Sequence, residues 1–186
     1  MSNKFKSKVF TIPNILTFIR LLLIPVFVWL YIGRQDYKLT SIILLLSGFT
    51  DVLDGFIARH FDMVSDLGKA IDPVADKLTQ LAMLLCLVSR FRLMLVPLSL
   101  LVVKELFCGI TCVMAIKKTG VVEGADWHGK LTTFLLYAMM ILHLIWADIT
   151  PTVSTVSILL CTASMILSFI MYGIRNINAI KGRKQD

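Results

Sequence analysis

Residues 51–76 read DVLDGFIARHFDMVSDLGKAIDPVAD, and four of the aspartates in this stretch form two pairs at helical spacing, one near each end. Asp51 and Asp54 are one helical turn apart, and so are Asp72 and Asp76. Either spacing places both carboxylates of a pair on one face of an α-helix. A hairpin that turns at residues 60–67 would let the two faces meet. Because carboxylates in an apolar environment repel one another, the pattern predicts divalent cations between them, and hard ions such as Mg2+ suit oxygen ligands.

The surroundings of these acids are strongly apolar. Hydrophobic residues make up 57% of the 186 residues, and the mean hydropathy is +0.81. A soluble helical bundle would need polar faces, which stretches such as Leu21–Ile32 and Leu131–Trp146 lack. Segments of about 20 mainly apolar residues match the thickness of a bilayer. The sequence therefore predicts an all-α integral membrane protein with six transmembrane helices: Ile12–Gly33, Leu39–Arg59, Gly68–Ser89, Leu93–Ile116, Gly129–Trp146 and Val153–Ile174.

The distribution of lysine and arginine predicts the orientation. Most of these residues fall near the two termini and in the loops on the same side, which the positive-inside rule places in the cytoplasm. The net charge of +7 suits anionic lipid headgroups, so no nucleic-acid partner is expected. We predict a single membrane domain over residues 1–186. Residues 1–11 would form a cytoplasmic interfacial segment rather than a signal peptide, 12–176 the six-helix bundle and 177–186 a basic tail.

This topology places the aspartates in a shallow cavity that opens to the cytoplasm. Asp51 lies about 12 Å from the cytoplasmic end of its helix at 1.5 Å per residue. Ionisable groups inside a membrane are costly and usually functional. The alternatives are a proton or ion pathway, as in a cation transporter, and structural pairing with Arg59, Lys69 and Lys77. Pro73 is expected in the first turns of its helix, where proline is tolerated.

The complete pattern D-x2-D-G-x2-A-R-x8-G-x3-D-x3-D resembles the signature of the CDP-alcohol phosphotransferase family, also called class I CDP-alcohol phosphatidyltransferases. The resemblance extends over most of the chain through Ile12–Arg20 and Gly129–Lys130. It implies a six-helix membrane enzyme, usually a homodimer. Such an enzyme displaces CMP from a CDP-linked substrate with the hydroxyl of a second alcohol. A cation transporter would instead give ion flux without CMP release.

The resemblance also implies roles for individual residues. Two Mg2+ or Mn2+ ions would neutralise the diphosphate during in-line displacement. Their ligands would be Asp51, Asp54, Asp72 and Asp76, and Asp76 would also be the general base. CDP would be bound by Asn14, Thr17, Gly55, Ala58, Arg59 and Gly68. Simpler explanations remain for three of them: Asn14 as a helix N-cap, Thr17 bonded to its own backbone, and Arg59 snorkelling at the membrane edge.

The acceptor alcohol is suggested by finer similarity. The opening IPNILTFIRLLLIPVF resembles phosphatidylglycerophosphate synthases, which transfer a phosphatidyl group from CDP-diacylglycerol to glycerol 3-phosphate. Lys104 and Lys130 are the candidate cations for the acceptor phosphate, although Lys104 and Glu105 would equally form an internal ion pair. Cys112 stands where that subfamily tends to have a second arginine. The alternatives are therefore a cardiolipin synthase, whose acceptor is phosphatidylglycerol, and another CDP-alcohol phosphotransferase, such as one that uses inositol or serine.

The predicted setting is the plasma membrane of a bacterium, with the active site facing the cytoplasm. There the enzyme would contact CDP-diacylglycerol, its acceptor and the surrounding membrane lipids. His128, at the start of the fifth apolar segment, is expected at a solvated edge.

Overall fold

A computed structural model gives the fold of this chain. It describes residues 12–60, 66–119, 127–146 and 148–181. Within these ranges, the side chains of residues 12–13, 51–70, 112, 115–119 and 180–181 lie outside the description.

The described chain is helical, and no strand occurs in the ranges given above. The helices are α1 (Ile12–Trp29), α2 (Tyr37–His60), α3 (Asp66–Val88), α4 (Leu95–Thr119), α5 (Trp127–Ile145) and α6 (Pro151–Lys181). A π-helical turn, Leu30–Arg34, continues α1, and a short 3-10 turn, Arg92–Met94, precedes α4. Each apolar segment predicted from the sequence lies in one of these helices. Their ends differ by a few residues, most of all in α6, which continues to Lys181.

The link between α1 and α2 has a clear local cause. Gln35 takes a left-handed backbone conformation with φ of 54°, and its N–H bonds to the carbonyl of Leu30. This reversal ends the π-helical turn. The next residue, Asp36, accepts a hydrogen bond from the backbone N–H of Leu39 at 3.0 Å through its carboxylate. Asp36 is therefore the N-cap of α2.

Pro73 does not lie in the first turn of its helix. Since α3 begins at Asp66, Pro73 is inside the helix, and the expectation that its position is a tolerated one is wrong. A proline here cannot donate to the carbonyl one turn earlier, which weakens the helix between Asp66 and Asp76.

The chain divides into two compact units. In the first, α1 packs against α2 and the π-helical turn, and α3 belongs to this unit as far as Cys86. Its fully buried side chains include Phe27, Leu44 and Met83. In the second unit, α4 packs against α6, and α5 belongs to it as far as His143.

Four stretches of the described helices are long and apolar enough to cross a membrane, judged by length and composition: Asn14–Arg34, Arg92–Thr111, Trp127–Ile145 and Pro151–Ala179. Tyr37–Thr50 is a shorter apolar helix. Large apolar side chains also face outward, with Leu22 69% and Phe134 68% exposed. Such surfaces are unfavourable in water and favourable in lipid. The described helices are those of an integral membrane protein.

Candidate functional site

The two acids of the aspartate pattern on α3, Asp72 and Asp76, are held by buried hydrogen-bond donors. Asp72 accepts a hydrogen bond from the hydroxyl of Thr17, which ties α3 to α1. Asp76 accepts one from the side-chain amide of Gln80, with Nε2 2.8 Å from Oδ2. Lys77 Nζ lies 4.0 Å from the same Oδ2 atom. Because one oxygen of each carboxylate is engaged, both side chains are restricted in rotation.

A polar stripe along α1 faces the interior. Asn14, Thr17 and Arg20 follow one another at three-residue intervals and are only 2%, 1% and 1% exposed. Asn14 lies inside α1, so the alternative that it caps the helix is wrong. The hydroxyl of Thr17 bonds to Asp72. The stripe therefore brings polar groups of α1 to the acids of α3.

A narrow recess lies beside this stripe. The recess is lined by Asn14, Thr17, Phe18 and Ile71. It is too small to hold a water molecule. The recess alone does not hold a nucleotide in this conformation. Any CDP pocket must also use residues beyond these four.

The remaining residues of the aspartate pattern are described only by their backbone. Asp51, Asp54, Gly55, Ala58 and Arg59 lie in the helical backbone near the end of α2, and Gly68 lies near the start of α3. The helical backbone confirms that Asp51 and Asp54 share one face of α2. Their side chains lie outside the described part, so their meeting with Asp72 and Asp76 stays a prediction.

The donor chemistry of the α3 acids fits a hard cation. Both supply carboxylate oxygens, which Mg2+ and Mn2+ prefer, and both have the hydrogen-bonded outer partners that metal-binding carboxylates usually have. Among the described side chains, no three acidic, histidine or cysteine residues are grouped so as to hold a metal. The predicted ligand set also includes Asp51 and Asp54, whose side chains lie outside the described part.

In the second unit, two cationic side chains meet one aromatic ring. Lys104 on α4 is 6% exposed, and its Nζ lies 5.8 Å from the centre of the Tyr172 ring on α6. The guanidinium carbon of Arg175 lies 4.8 Å from the same centre. Lys104 also forms the expected ion pair with Glu105, at 3.7 Å. Positive charge is thus concentrated around Tyr172, which is the kind of environment that binds phosphate.

The start of α5 reaches the same tyrosine. Gly129 lies so close to the Tyr172 hydroxyl that a side chain at position 129 would clash with it. Lys130 follows on an exposed position. His128 is 5% exposed, stacks edge-on with Tyr172 at 4.6 Å and lies 3.3 Å from the Ser168 hydroxyl. The expectation that His128 is solvated is therefore wrong.

The match to a family model shows to which family of proteins this chain is related. The model described as CDP-alcohol phosphatidyltransferase matches residues 10–172, which is most of the chain. The chain belongs to the CDP-alcohol phosphatidyltransferase family. This confirms the resemblance inferred from the aspartate pattern.

Cardiolipin synthases and a glycerol-3-phosphate phosphatidyltransferase are both similar to this member of the family. It is 36% identical over 144 residues to a cardiolipin synthase (CMP-forming) of Streptomyces coelicolor, covering 74% of this chain and 66% of the relative. It is 34% identical over 137 residues to a CDP-diacylglycerol–glycerol-3-phosphate 3-phosphatidyltransferase of Rickettsia typhi, covering 72% and 76%. A cardiolipin synthase/hydrolase fusion protein of Schizosaccharomyces pombe is 42% identical over 101 residues, 54% of this chain but only 17% of that protein.

Three residues that contact predicted site residues or their neighbours were not singled out from the sequence: Gln80, which bonds to Asp76, and Tyr172 and Arg175, which lie next to Lys104 in the second unit. The two on α6 are three residues apart, a spacing that places them on one helix face, and an arginine near the end of an apolar helix gave some signal. Gln80 was detectable only as a polar residue one turn after Asp76. Nothing in the sequence indicated that it bonds to Asp76.

Proposed function

We propose that this protein transfers a phosphatidyl group from CDP-diacylglycerol to glycerol 3-phosphate, giving phosphatidylglycerophosphate and CMP. The observation that carries the proposal is the complete aspartate pattern in a chain of this family, with both α3 acids held by buried donors. The Rickettsia relative, matched over three quarters of its length, supports the choice of reaction.

The acids on α2 and α3 would hold the divalent ions. Asp51, Asp54, Asp72 and Asp76 supply an all-oxygen ligand set, suited to two Mg2+ or Mn2+ ions. When bound, the ions neutralise the diphosphate of the nucleotide substrate and favour the departure of CMP. Asn14, Thr17, Gly55, Ala58, Arg59 and Gly68 would line the CDP site. Thr17 would act there partly through Asp72, because its hydroxyl already donates to that carboxylate.

Asp76 would be the general base. Its carboxylate takes the proton from the acceptor hydroxyl, whose oxygen attacks the phosphorus that carries the diacylglycerol. A new oxygen–phosphorus bond forms as the bond from that phosphorus to the diphosphate bridging oxygen breaks. CMP leaves with the bridging oxygen, and no covalent intermediate with the protein is needed.

The acceptor's own phosphate would be bound by cationic side chains. Lys104 and Lys130 are the residues proposed from the sequence, and the position of Arg175 beside Tyr172 supports adding it. Arginine offers several donors in a fixed plane, which suits a phosphate group. An arginine at 175 offsets the absence of one at position 112, where the chain has cysteine.

A cardiolipin synthase is the second candidate function. The relatives from Streptomyces coelicolor and Schizosaccharomyces pombe carry that name, and the latter is 42% identical over the matched segment. Its acceptor would be phosphatidylglycerol, and the nucleotide product would again be CMP. The two candidates share the chemistry at the aspartates and differ in the alcohol that is accepted.

We further propose six transmembrane helices in one domain, with residues 1–11 at the cytoplasmic interface and 177–186 as a cytoplasmic tail. The enzyme would form a homodimer in the plasma membrane of a bacterium, among lipids that include its substrate. The four stretches that are long and apolar enough to span support this arrangement, and α2 and α3 would complete it. The acids would then face the cytoplasm, where glycerol 3-phosphate is available.

The test uses purified protein in detergent with Mn2+, labelled CDP-diacylglycerol and one acceptor at a time. We expect CMP release with glycerol 3-phosphate and none without an acceptor. Release with phosphatidylglycerol alone would favour the cardiolipin synthase. Ion flux through the protein without CMP release in any mixture would reject both enzymes.

The four aspartates are tested in the same assay. Asp51→Ala, Asp54→Ala, Asp72→Ala and Asp76→Ala are each expected to abolish turnover while the protein remains folded. Asp148→Ala is the matched control, because Asp148 is an exposed aspartate in the loop before α6. Turnover close to that of the control in any of the first three variants would remove that residue from the set of essential ligands.

A further inference from the structure

Gln80 is a buried amide with no role in the aspartate pattern. It lies on α3, one turn after Asp76, and is 1% exposed. Burying a side-chain amide in apolar surroundings costs free energy unless it is hydrogen-bonded. In the described structure its side-chain bond is the one from Nε2 to Asp76 Oδ2, at 2.8 Å. The hydrogen bond that stabilises this buried amide is therefore the one it donates to Asp76.

The chemistry of the bond fixes the roles of its partners. An ionised carboxylate can only accept hydrogen bonds, so the amide must present its NH2 group to Asp76. The bond occupies Oδ2 of Asp76 and restricts the rotation of the carboxylate plane. Outer hydrogen bonds of this kind commonly set how a carboxylate meets a metal.

The neighbouring residue shows that a polar side chain here need not have this role. Thr79 is also fully buried, but its hydroxyl donates to the carbonyl of Ala75 at 2.9 Å, within its own helix. The hydrogen bond of Thr79 therefore stays within α3 and involves only a backbone carbonyl. The bond of Gln80 reaches a side chain that the proposed reaction requires.

We propose that Gln80 is a positioning residue, which orients Asp76 so that its carboxylate meets the divalent ion and the acceptor hydroxyl. This inference rests on the proposed function. Gln80 acts through Asp76 and does not itself touch the substrate. Its removal should therefore weaken metal binding and turnover without weakening the binding of the acceptor.

The test compares Gln80→Met with Thr79→Val in the full-length protein. Methionine keeps the length and suits an apolar helix, but it cannot donate. Binding of Mn2+ alone is measured by electron paramagnetic resonance, and CMP release is measured at several Mn2+ concentrations. We expect Gln80→Met to raise the Kd for Mn2+ about 10- to 100-fold. The half-saturating Mn2+ in the assay should rise with it, while the KM for glycerol 3-phosphate at saturating Mn2+ stays unchanged.

Thr79→Val should bind Mn2+ like the wild type. If Gln80→Met does not fold, Gln80→Asn provides the same comparison, because it keeps the amide but is one methylene too short to reach Asp76. Wild-type affinity for Mn2+ in a folded variant that lacks the bond would overturn the proposal, as would a wild type that binds no Mn2+. Weakened Mn2+ binding in a protein that releases no CMP with any acceptor would leave the role of Gln80 intact and reject the proposed function.

Discussion

Single residues in the second unit are packed against Tyr172 with little room. Gly129 lies against its hydroxyl, and a Cβ at that position would clash. We expect Gly129→Ala to lower the free energy of unfolding by about 1–3 kcal/mol, the usual cost of overpacking. Gly109→Ala is the control, because a Cβ there meets nothing within 4 Å. Denaturant unfolding of both variants in detergent measures the difference.

Both substitutions replace a helical glycine by alanine, which favours the helix, more so at Gly109 inside α4 than at Gly129 in the first turn of α5. The clash occurs only at position 129. Equal stability of the two variants would show that Tyr172 moves aside at no cost. It would also mean that the position of the ring beside Lys104 and Arg175 is not fixed by α5.

The sequence predicted the positions of individual residues where they are only three or four residues apart, because that spacing places them on one helix face. The helical spacing of the aspartates was sufficient to place each pair on one face. The contacts of Thr17 with Asp72 and of Arg175 with Tyr172 were not predictable, since Thr17 and Asp72 are far apart in the chain and the other contact depends on side-chain direction. His128 was misjudged because its burial comes from α6, through Ser168 and Tyr172.

Among the helices, the N-terminus of α2 depends on a single side chain. Asp36 accepts from the N–H of Leu39, so Asp36→Ala leaves that donor without its cap. We expect a loss of about 1 kcal/mol in the free energy of unfolding. Asp148→Ala removes another exposed acid, one that makes no hydrogen bond within the part of the chain that the structure describes, and should leave stability unchanged. A matched loss in both variants would assign the effect to charge rather than to capping.

The helices themselves were largely predictable, because long apolar segments have few alternatives to a helix in a membrane. Their ends were less so. The π-helical turn after Trp29 ends at Gln35 in a left-handed conformation, for which the sequence Gly33-Arg34-Gln35 gave no clear signal. The interior position of Pro73 was missed because the apolar segment was taken to begin at Gly68, whereas α3 begins earlier, at Asp66.

For the whole molecule, the number of membrane crossings is the property that the proposed site depends on. If α2 and α3 both cross, Lys38 and Asp148 lie outside the cell, while Ser65 and Lys184 lie in the cytoplasm. If α2 and α3 do not cross, Lys38 and Asp148 still lie outside the cell and Lys184 still lies in the cytoplasm. Ser65, however, then lies outside. We therefore expect Lys38→Cys and Asp148→Cys, in a variant without the four native cysteines, to react with an impermeant maleimide in intact bacteria. Ser65→Cys and Lys184→Cys should react only after permeabilisation. Labelling of Ser65→Cys in intact cells would place the loop between the acidic helices outside, away from cytoplasmic glycerol 3-phosphate, and would contradict the proposed active site even with both termini in the cytoplasm.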